Sequence, residues 1–265
     1  MAQLKIVSFN LWKNEGRFEQ RIERIVTGLS ALNADVIALQ ECFYAPALGI
    51  DVVETIARRC AMHFVRAPLR AKRRLHPISA TKMTTPATQV ETRSDMAILT
   101  RTPVIDVEVV MLPEDKRDGE RALLMATLPL RNRSVRLGCT HLTHLRDGDA
   151  VAVRHRQAAA IAQCIVRFDH QPFVLMGDLN ARMTDGELGS LYNNPALGLD
   201  SRLHAASMPI VTAPADGTID HILLFGSAPG WQHLTRENKL QPLPTRPEDW
   251  ASDHPAIFAR LEFPE

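Results

Sequence analysis

The ten residues PFVLMGDLNA, at positions 172–181, join an apolar strand to a polar exit. The hydrophobic run 173–176 predicts a buried strand, and Gly177 predicts a sharp turn after it. Asp178 and Asn180 follow two residues apart, so their side chains point the same way from an extended chain. The carboxylate can accept a proton from water, while the amide can donate a hydrogen bond to a phosphate oxygen. Alone, this pair is a weak signal of function.

Five other short segments carry the same kind of chemistry, and each is predicted to be an apolar strand that ends in Asn, Asp, Glu or His. They are SFN at 8–10, LQE at 39–41, THL at 140–142, IDH at 219–221 and SDH at 252–254. Ligand sites in layered α/β folds lie at strand ends, so the repeated pattern predicts one shared site. The side chains predicted to meet there are Asn10, Glu41, His141, Asp178, Asn180, Asp220, Asp253 and His254.

The acidic residues of this set predict a metal ion. Four carboxylates in one apolar-walled cleft would repel one another and resist ionisation unless a divalent cation lay among them. Oxygen-rich ligation indicates Mg²⁺ or Mn²⁺, and no Cys or His pair has the spacing of zinc ligands.

Taken together, the six motifs and their order resemble the endonuclease/exonuclease/phosphatase superfamily. This superfamily includes pancreatic-type DNases, abasic-site endonucleases, deadenylases, sphingomyelinases and inositol polyphosphate phosphatases. The resemblance extends from Lys5 to Leu261. It implies an α/β fold, a four-layer sandwich of two packed mixed sheets flanked by helices, and metal-dependent hydrolysis of a phosphoester. We expect one such domain over residues 1–265.

The resemblance also implies which residues hold the metal. Glu41 matches the principal metal ligand, and Asn10 and Asp253 match positions near the same ion. Asp178 matches the carboxylate that activates water, and Asn180 matches a donor to a phosphate oxygen.

The histidines match positions at the scissile phosphate. His254 would contact that phosphate, and Asp220 would hold and charge the histidine, as buried acids do in other catalytic pairs. His141 would either donate to the phosphate or protonate the leaving group.

Substrate is less constrained than reaction type, because one fold serves many substrates. We expect a nuclease, acting as an endonuclease or an exonuclease. The alternatives are a hydrolase of small-molecule or lipid phosphoesters, similar to a phosphatase or a sphingomyelinase, and a non-catalytic binding module. His141 disfavours abasic-site endonucleases, which place a tyrosine in that region, and IDHILL lacks the W-C-D-R sequence of inositol 5-phosphatases. GDLNAR has the G-D-x-N-x-R form of DNA-end phosphodiesterases, so that class stays open.

Charge gives a local signal only. The chain has 31 Lys and Arg against 30 Asp and Glu, so its net charge of +1 says little about a polyanionic partner. Within 66–90, however, a basic segment without acids contains Arg66, Arg70, Lys72, Arg73, Arg74 and Lys82. It predicts a mobile cationic loop, either a solvated insertion or an arm that binds phosphates beside the cleft.

The chain has no basic leader followed by an apolar run, and no stretch approaches the ~20 apolar residues of a membrane span. We therefore expect a monomeric cytoplasmic protein without stable membrane insertion. Four widely spaced cysteines, Cys42, Cys60, Cys139 and Cys164, are predicted to be reduced residues of the core.

Periodicity predicts a β-α-β-α beginning, in which a helix over 17–33 and another over 51–60 alternate with strands. The strands from Met96 to Leu142 predict an antiparallel meander. A helix over 149–168, the strand at 173–177 and two later strands complete the pattern.

Overall fold

The computed structural model describes residues 2–75, 89–168, 171–197, 218–226, 232–242 and 246–263. Four helices of the described residues are α1 (Phe18–Leu32), α2 (Val52–Cys60), α3 (Gly148–Val166) and α4 (Gly189–Tyr192). The first six strands are β1 (Ala2–Asn10), β2 (Val36–Ala45), β3 (Ile50–Asp51), β4 (His63–Ala67), β5 (Lys72–Leu75) and β6 (Gln89–Thr100). The remaining strands are β7 (Ile105–Met111), β8 (Ala122–Leu130), β9 (Arg133–His141), β10 (Phe173–Asp178), β11 (Asp220–Phe225), β12 (Gln232–Lys239) and β13 (Ala256–Phe263).

The strands form two mixed sheets. The larger has the order β12-β13-β1-β2-β6-β4, with β3 beside β2 and β5 beside β6, and the smaller has the order β11-β10-β9-β8-β7. Each sheet contains one parallel pair, β1 with β2 and β9 with β10, and otherwise antiparallel pairs.

Burial on both faces of the strands explains the layers. Along β1, Ile6 lies in the core between the two sheets, whereas its neighbour Val7 packs with the helical residues Ile25 and Ile56 on the outer face. On the far side, Leu175 of β10 belongs to a third cluster with residues of α3 and α4. The predicted four-layer α/β sandwich is confirmed, because each sheet buries one face against the other and one against helices.

The cysteine prediction is also confirmed. Cys42, Cys60, Cys139 and Cys164 are buried and free. Burial raises the pKa of the Cys139 thiol to about 12, against a hydrogen bond from Gln40 that lowers it. These thiols are therefore packing residues of the core.

One detail of the predicted topology is wrong. β6 does not continue the meander: it pairs with β2 and β4 in the larger sheet, so the meander consists of β7, β8 and β9. Apolar alternation marks both β6 and β7 as strands but does not show that they belong to different sheets.

The predicted cationic loop is wrong in part. Arg66 lies in β4 and pairs with Asp51 at 2.7 Å, and residues 72–75 form β5 against β6. Residues 76–88, including Lys82, lie outside the described residues.

Gly177 is required by the close approach of β10 to β9. Its φ is +154°, and a Cβ placed there would lie 2.0 Å from the carbonyl oxygen of Thr140. That oxygen belongs to a paired strand and cannot retreat without breaking the sheet. A glycine directly before Asp178 therefore lets the polar exit of β10 lie against the end of β9.

We expect Gly177→Ala to lower the free energy of unfolding by about 1–3 kcal/mol, since the substitution adds backbone strain and a steric clash. Gly148→Ala is the control, because nothing lies within 4 Å of a Cβ at that position. Urea unfolding of the two variants measures the difference. Equal stabilities would contradict the close approach of the two strands.

Candidate active site

The parallel pair in each sheet brings the first site residues together. Asn10 ends β1 beside Gln40 of β2, and Asp178 ends β10 opposite His141 of β9. The Asn10 Nδ2 donates to Asp178 Oδ2 at 3.0 Å, and this bond joins the edges of the two sheets. Both side chains are buried, at 2% and 1% exposure, so the contact forms the floor of a cleft between the sheets.

Two of the predicted segments reach this cleft from the opposite direction. Asp220 opens β11, which runs antiparallel to β10, and Asp178 is its register partner. Likewise, Asp253 and His254 precede β13 rather than ending a strand. The prediction that each segment ends an apolar strand is therefore wrong for these two. It is also wrong for LQE, because β2 continues past Glu41 to Ala45. All six motifs nevertheless lie at the same edge of the sandwich.

His254 and Asp220 form a hydrogen-bonded pair. The Nδ1 of His254 lies 2.8 Å from Asp220 Oδ2, and its Nε2 lies 3.8 Å from Asp178 Oδ2. Burial opposes protonation of His254, but the negative charges of Asp220 and Asp178 outweigh it and raise the pKa of His254 well above its usual value. The ring is therefore an imidazolium, a donor with positive charge.

Asp178 is the centre of the network. Burial and repulsion by Asp220 raise its pKa to about 6, against the opposing charge of His254 and a hydrogen bond from the Asn180 backbone N–H at 2.8 Å. A carboxylate with a pKa near neutrality is suited to accept a proton from water.

His141 differs from His254 in its electrostatics. Its Nε2 lies 3.6 Å from Asp178 Oδ2 and its Nδ1 lies 4.0 Å from Glu41 Oε1. Burial, together with the positive charges of Arg121 and Lys13, lowers the pKa of His141 well below its usual value. As a neutral imidazole it can donate one hydrogen bond. This favours donation to the phosphate, one of its two predicted roles, over protonation of a leaving group.

Asn180 has a left-handed backbone, with φ of +50°. Its Nδ2 donates to the carbonyl oxygen of Leu142 at 3.0 Å, which ties β10 to the segment after β9. Because a carboxamide has two N–H donors, the second one is the group that would serve a phosphate oxygen.

Glu41 sits on an interruption of β2. The pairing of β2 with β6 shifts register between Leu39 and Cys42, and Glu41 has φ of +55°. A bulge of this kind redirects a side chain, and a left-handed non-glycine residue is strained. The bulge brings Glu41 Oε1 to 3.2 Å from the ammonium of Lys13.

The Glu41 region suits a divalent cation. Burial and the charge of Glu41 both raise the pKa of Asp253, against the opposing charge of His254. The carboxylates of Glu41 and Asp253 are therefore close enough to repel each other. A cation would relieve that repulsion, and Lys13 shows that positive charge is accommodated beside Glu41. With the Asn10 carboxamide, these are the hard oxygen donors that Mg²⁺ prefers.

A second group could also hold a cation. Among the described residues, Asp178, Asp220 and His254 offer ligand atoms within 4.8 Å of one another. In that group, however, His254 and Asp220 are already joined by the 2.8 Å hydrogen bond.

Arg21 was missed by sequence reasoning, because on an amphipathic helix it belongs to the polar face. It is 1% exposed, and its guanidinium donates five hydrogen bonds to backbone carbonyls, those of Leu11, Trp12, Lys13, Glu15 and Ala251. It thereby fixes the loop after Asn10 to the segment before Asp253. No local pattern reveals this, since the acceptors are backbone atoms.

We expect Arg21→Lys to lower the free energy of unfolding by about 1.5–3 kcal/mol, because an ammonium has fewer donors than the planar guanidinium and leaves buried carbonyls unpaired. Arg17→Lys, on an exposed residue at the start of the same helix, is the control. Thermal unfolding of both variants checks this. A native melting temperature in Arg21→Lys would show that the five bonds do not support the loop.

Arg154 and Gln157 tie α3 to the sheet. Arg154 Nη1 donates to the carbonyl oxygen of Thr143 at 2.9 Å, and Gln157 accepts from the Thr143 N–H at 3.1 Å. Both bonds fix the segment directly after His141.

The geometry defines a centre of acids, amides and histidines at one edge of a four-layer sandwich. Residues 7–254 match the endonuclease/exonuclease/phosphatase family, and the chain belongs to that family. Members of the family are generally phosphoester hydrolases that depend on divalent metals. No curated protein sequence matches the chain.

Solved structures share the fold at low identity. An endonuclease/exonuclease/phosphatase protein from Beutenbergia cavernae is 17% identical with a TM-score of 0.73, over 98% of this chain and 72% of that one. The human Nocturnin catalytic domain with bound sulfate is 17% identical with a TM-score of 0.69, over 99% and 95%. TDP2 of D. rerio, complexed with a single-strand DNA product, is 18% identical with a TM-score of 0.68, over 99% and 100%.

No helix among the described residues is long and apolar enough to cross a membrane.

Proposed function

We propose that this protein is a Mg²⁺- or Mn²⁺-dependent phosphodiesterase that hydrolyses nucleic acid by direct attack of water, as a single domain over residues 1–265. The observation that carries the proposal is the connected network in the cleft. From Asn10 it reaches Asp178 at 3.0 Å, and from Asp178 it reaches His141 at 3.6 Å and His254 at 3.8 Å.

In this proposal Glu41, Asn10 and Asp253 would hold the metal, which supplies positive charge to the phosphate oxygens and orients the ester. Asp178 orients the attacking water and accepts its proton. The imidazolium of His254, held by Asp220, donates to a non-bridging oxygen, where negative charge develops.

The remaining two side chains complete the contacts to the ester. Asn180 would donate its second N–H to a phosphate oxygen, and His141 would donate its one N–H to the phosphate. Three donors, His254, Asn180 and His141, and one acceptor, Asp178, would thus act on one phosphate, which makes the reaction class the best-supported part of the proposal.

A nucleic acid substrate is supported by the relatives and by the site. TDP2 of D. rerio was solved with a single-strand DNA product and Nocturnin with an anion, and both share this fold. The protein's own support is a set of Lys and Arg side chains beside Glu41 and His141.

A substrate panel tests the proposal. With Mg²⁺ and then Mn²⁺, the protein is given single-stranded DNA, duplex DNA, RNA, mononucleotides and phospholipid vesicles, and product ends are analysed. We expect metal-dependent cleavage of at least one nucleic acid. Hydrolysis confined to nucleotides or phospholipids would reject the nuclease assignment, and activity on none would favour a binding module.

A further inference from the structure

A small cavity opens directly beside Glu41 and His141. Its volume is about 170 Å³, and its apolar wall comes from Phe43, Leu69 and Met96. Sites for whole drug-sized ligands usually have about 300–1,000 Å³, so this cavity suits one substituent of a substrate bound at the metal centre.

The lining of the cavity carries more basic than acidic side chains, although acids outside the lining pair with three of them: Asp95 with Arg93, Asp115 and Asp147 with Arg117, and Glu114 with Arg70. Its charged members are the cations Lys13, Arg70, Lys72, Arg93, Arg117 and Arg121 and the acids Glu41, Asp118 and Glu120. A metal bound to Glu41 would offset one of these acids and increase the excess of positive charge. The cavity therefore attracts an anion.

Arg121 is the cation of this lining that is best placed to bind one. It is only 8% exposed, and its Nη2 lies 2.7 Å from Asp118 Oδ1. The Nε of Arg121 is buried and has no hydrogen-bond partner within the described part of the chain. An unmatched buried N–H is costly, so it points to an acceptor supplied from outside the protein.

Asp118 holds this arginine in place. Its carboxylate accepts from the hydroxyl of Thr143 and from the His144 N–H at 3.1 Å, and its Oδ1 lies 2.7 Å from His144 Nδ1. Burial would raise the pKa of Asp118, but Arg121 and these hydrogen bonds outweigh it and lower the pKa. The ionised acid fixes Arg121 before any ligand arrives.

The opposite wall presents two further cations. Arg70 is anchored to Glu120 at 2.8 Å, and the Lys72 ammonium lies 3.4 Å from the carbonyl oxygen of Asp118. The cations therefore surround the cavity from more than one element.

The cavity adjoins the reacting centre. Leu123 of β8 pairs with Thr140 of β9, so Arg121, which precedes β8, lies beside the end of β9 that carries His141. A group held by Arg121 would thus be close to the scissile phosphate.

We propose that this cavity binds a second phosphate of the substrate, next to the scissile one, with Arg121 as its principal donor and Arg70 and Lys72 as supporting charges. The inference rests on the proposed function of the same site and deepens it. The preferred substrate would carry two neighbouring phosphates, as a nucleotide strand or a terminally phosphorylated end does.

Binding tests this without any need for hydrolysis. Calorimetry compares thymidine 5′-monophosphate with thymidine 3′,5′-bisphosphate, each with Mg²⁺. A hydrogen bond to a charged group contributes about 1.5–3 kcal/mol, so we expect the native protein to bind the bisphosphate roughly 10-fold to 100-fold more tightly. In Arg121→Gln this advantage should fall to less than about threefold, whereas Arg156→Gln, on an exposed face of α3, should retain it.

Arg70→Gln and Lys72→Gln provide a second route, because both residues are at least partly exposed and their replacement does not disturb the core. Each should reduce the advantage of the bisphosphate in part. Equal binding of the monophosphate and the bisphosphate by the native protein would overturn the inference. An undiminished preference for the bisphosphate in Arg121→Gln would also overturn it. If that variant does not fold, an undiminished preference in Arg70→Gln and Lys72→Gln would do so.

The outcomes separate the two proposals. Cleavage of nucleic acid without a preference for the bisphosphate would overturn the proposed phosphate-binding role of the cavity and leave the proposed function intact. A preference for the bisphosphate that depends on Arg121, in a protein that cleaves no nucleic acid, would support the phosphate-binding role of the cavity and overturn the proposed function.

Discussion

Asp178→Asn should lower the turnover of any phosphodiester substrate by a factor of about 10²–10⁴, because the amide cannot accept a proton from water. The amide keeps the shape of the side chain, but its single oxygen can accept from Asn10 Nδ2 or from the Asn180 N–H and not from both. Initial rates at saturating metal and substrate measure the loss. Asp149→Asn, on an exposed acid in the first turn of α3, is the control and should retain native turnover.

The same substitution should not destabilise the protein. Burial and Asp220 raise the pKa of Asp178 to about 6, so ionising this side chain costs more in the folded protein than in the unfolded chain, although it is still mostly ionised at neutral pH. Removing that charge should leave the metal-free protein as stable as the native one or more stable. Low turnover together with a lower melting temperature would indicate that Asp178 has a structural role.

Glu41→Gln should raise the metal concentration for half-maximal activity by about 10-fold to 100-fold or more, since the loss of a ligand's charge weakens binding at least as much as the loss of a supporting contact. Excess metal should partly restore the rate. Glu54→Gln, on an exposed residue of α2, is the control.

This experiment also decides between the two cation groups. If the metal titration of Glu41→Gln matched that of the native protein while Asp220→Asn shifted it, the ion would belong with Asp178, Asp220 and His254. If Glu41→Gln alone shifted it, the Glu41 group would be supported.

The sequence predicted the layers and the members of the site because both depend on patterns within short segments. PFVLMGDLNA shows its strand by hydrophobicity, and the strand is confirmed. The turn predicted at Gly177 is wrong, because β10 continues through Gly177 to Asp178 and the glycine instead allows the close approach of Thr140. Seven of the eight polar residues lie at or next to an end of an apolar strand, and Glu41 lies on a bulge inside β2. The structure brings all eight to one edge of the sandwich.

Pairing between distant strands was harder to predict. β6 looks like the first strand of the meander, but its partners β2 and β4 lie earlier in the chain. Arg66 looked like a loop cation because its partner, Asp51, is fifteen positions away in sequence and pairs with it only in the fold.

Backbone contacts gave no signal at all. Arg21 bonds five carbonyl oxygens, which every residue type carries, and Glu41 reaches the cleft through a bulge. Neither feature depends on the identity of the neighbouring side chains. Only the folded chain shows them.

The most direct test of a metal-dependent phosphodiesterase centre is the metal titration of the native protein. Protein stripped of metal by a chelator is assayed on single-stranded DNA and RNA while Mg²⁺ or Mn²⁺ is added back. We predict no cleavage before addition, a saturable rise in cleavage with metal, and the same rise displaced to higher metal concentration in Glu41→Gln. Undiminished cleavage by the stripped protein would contradict the account.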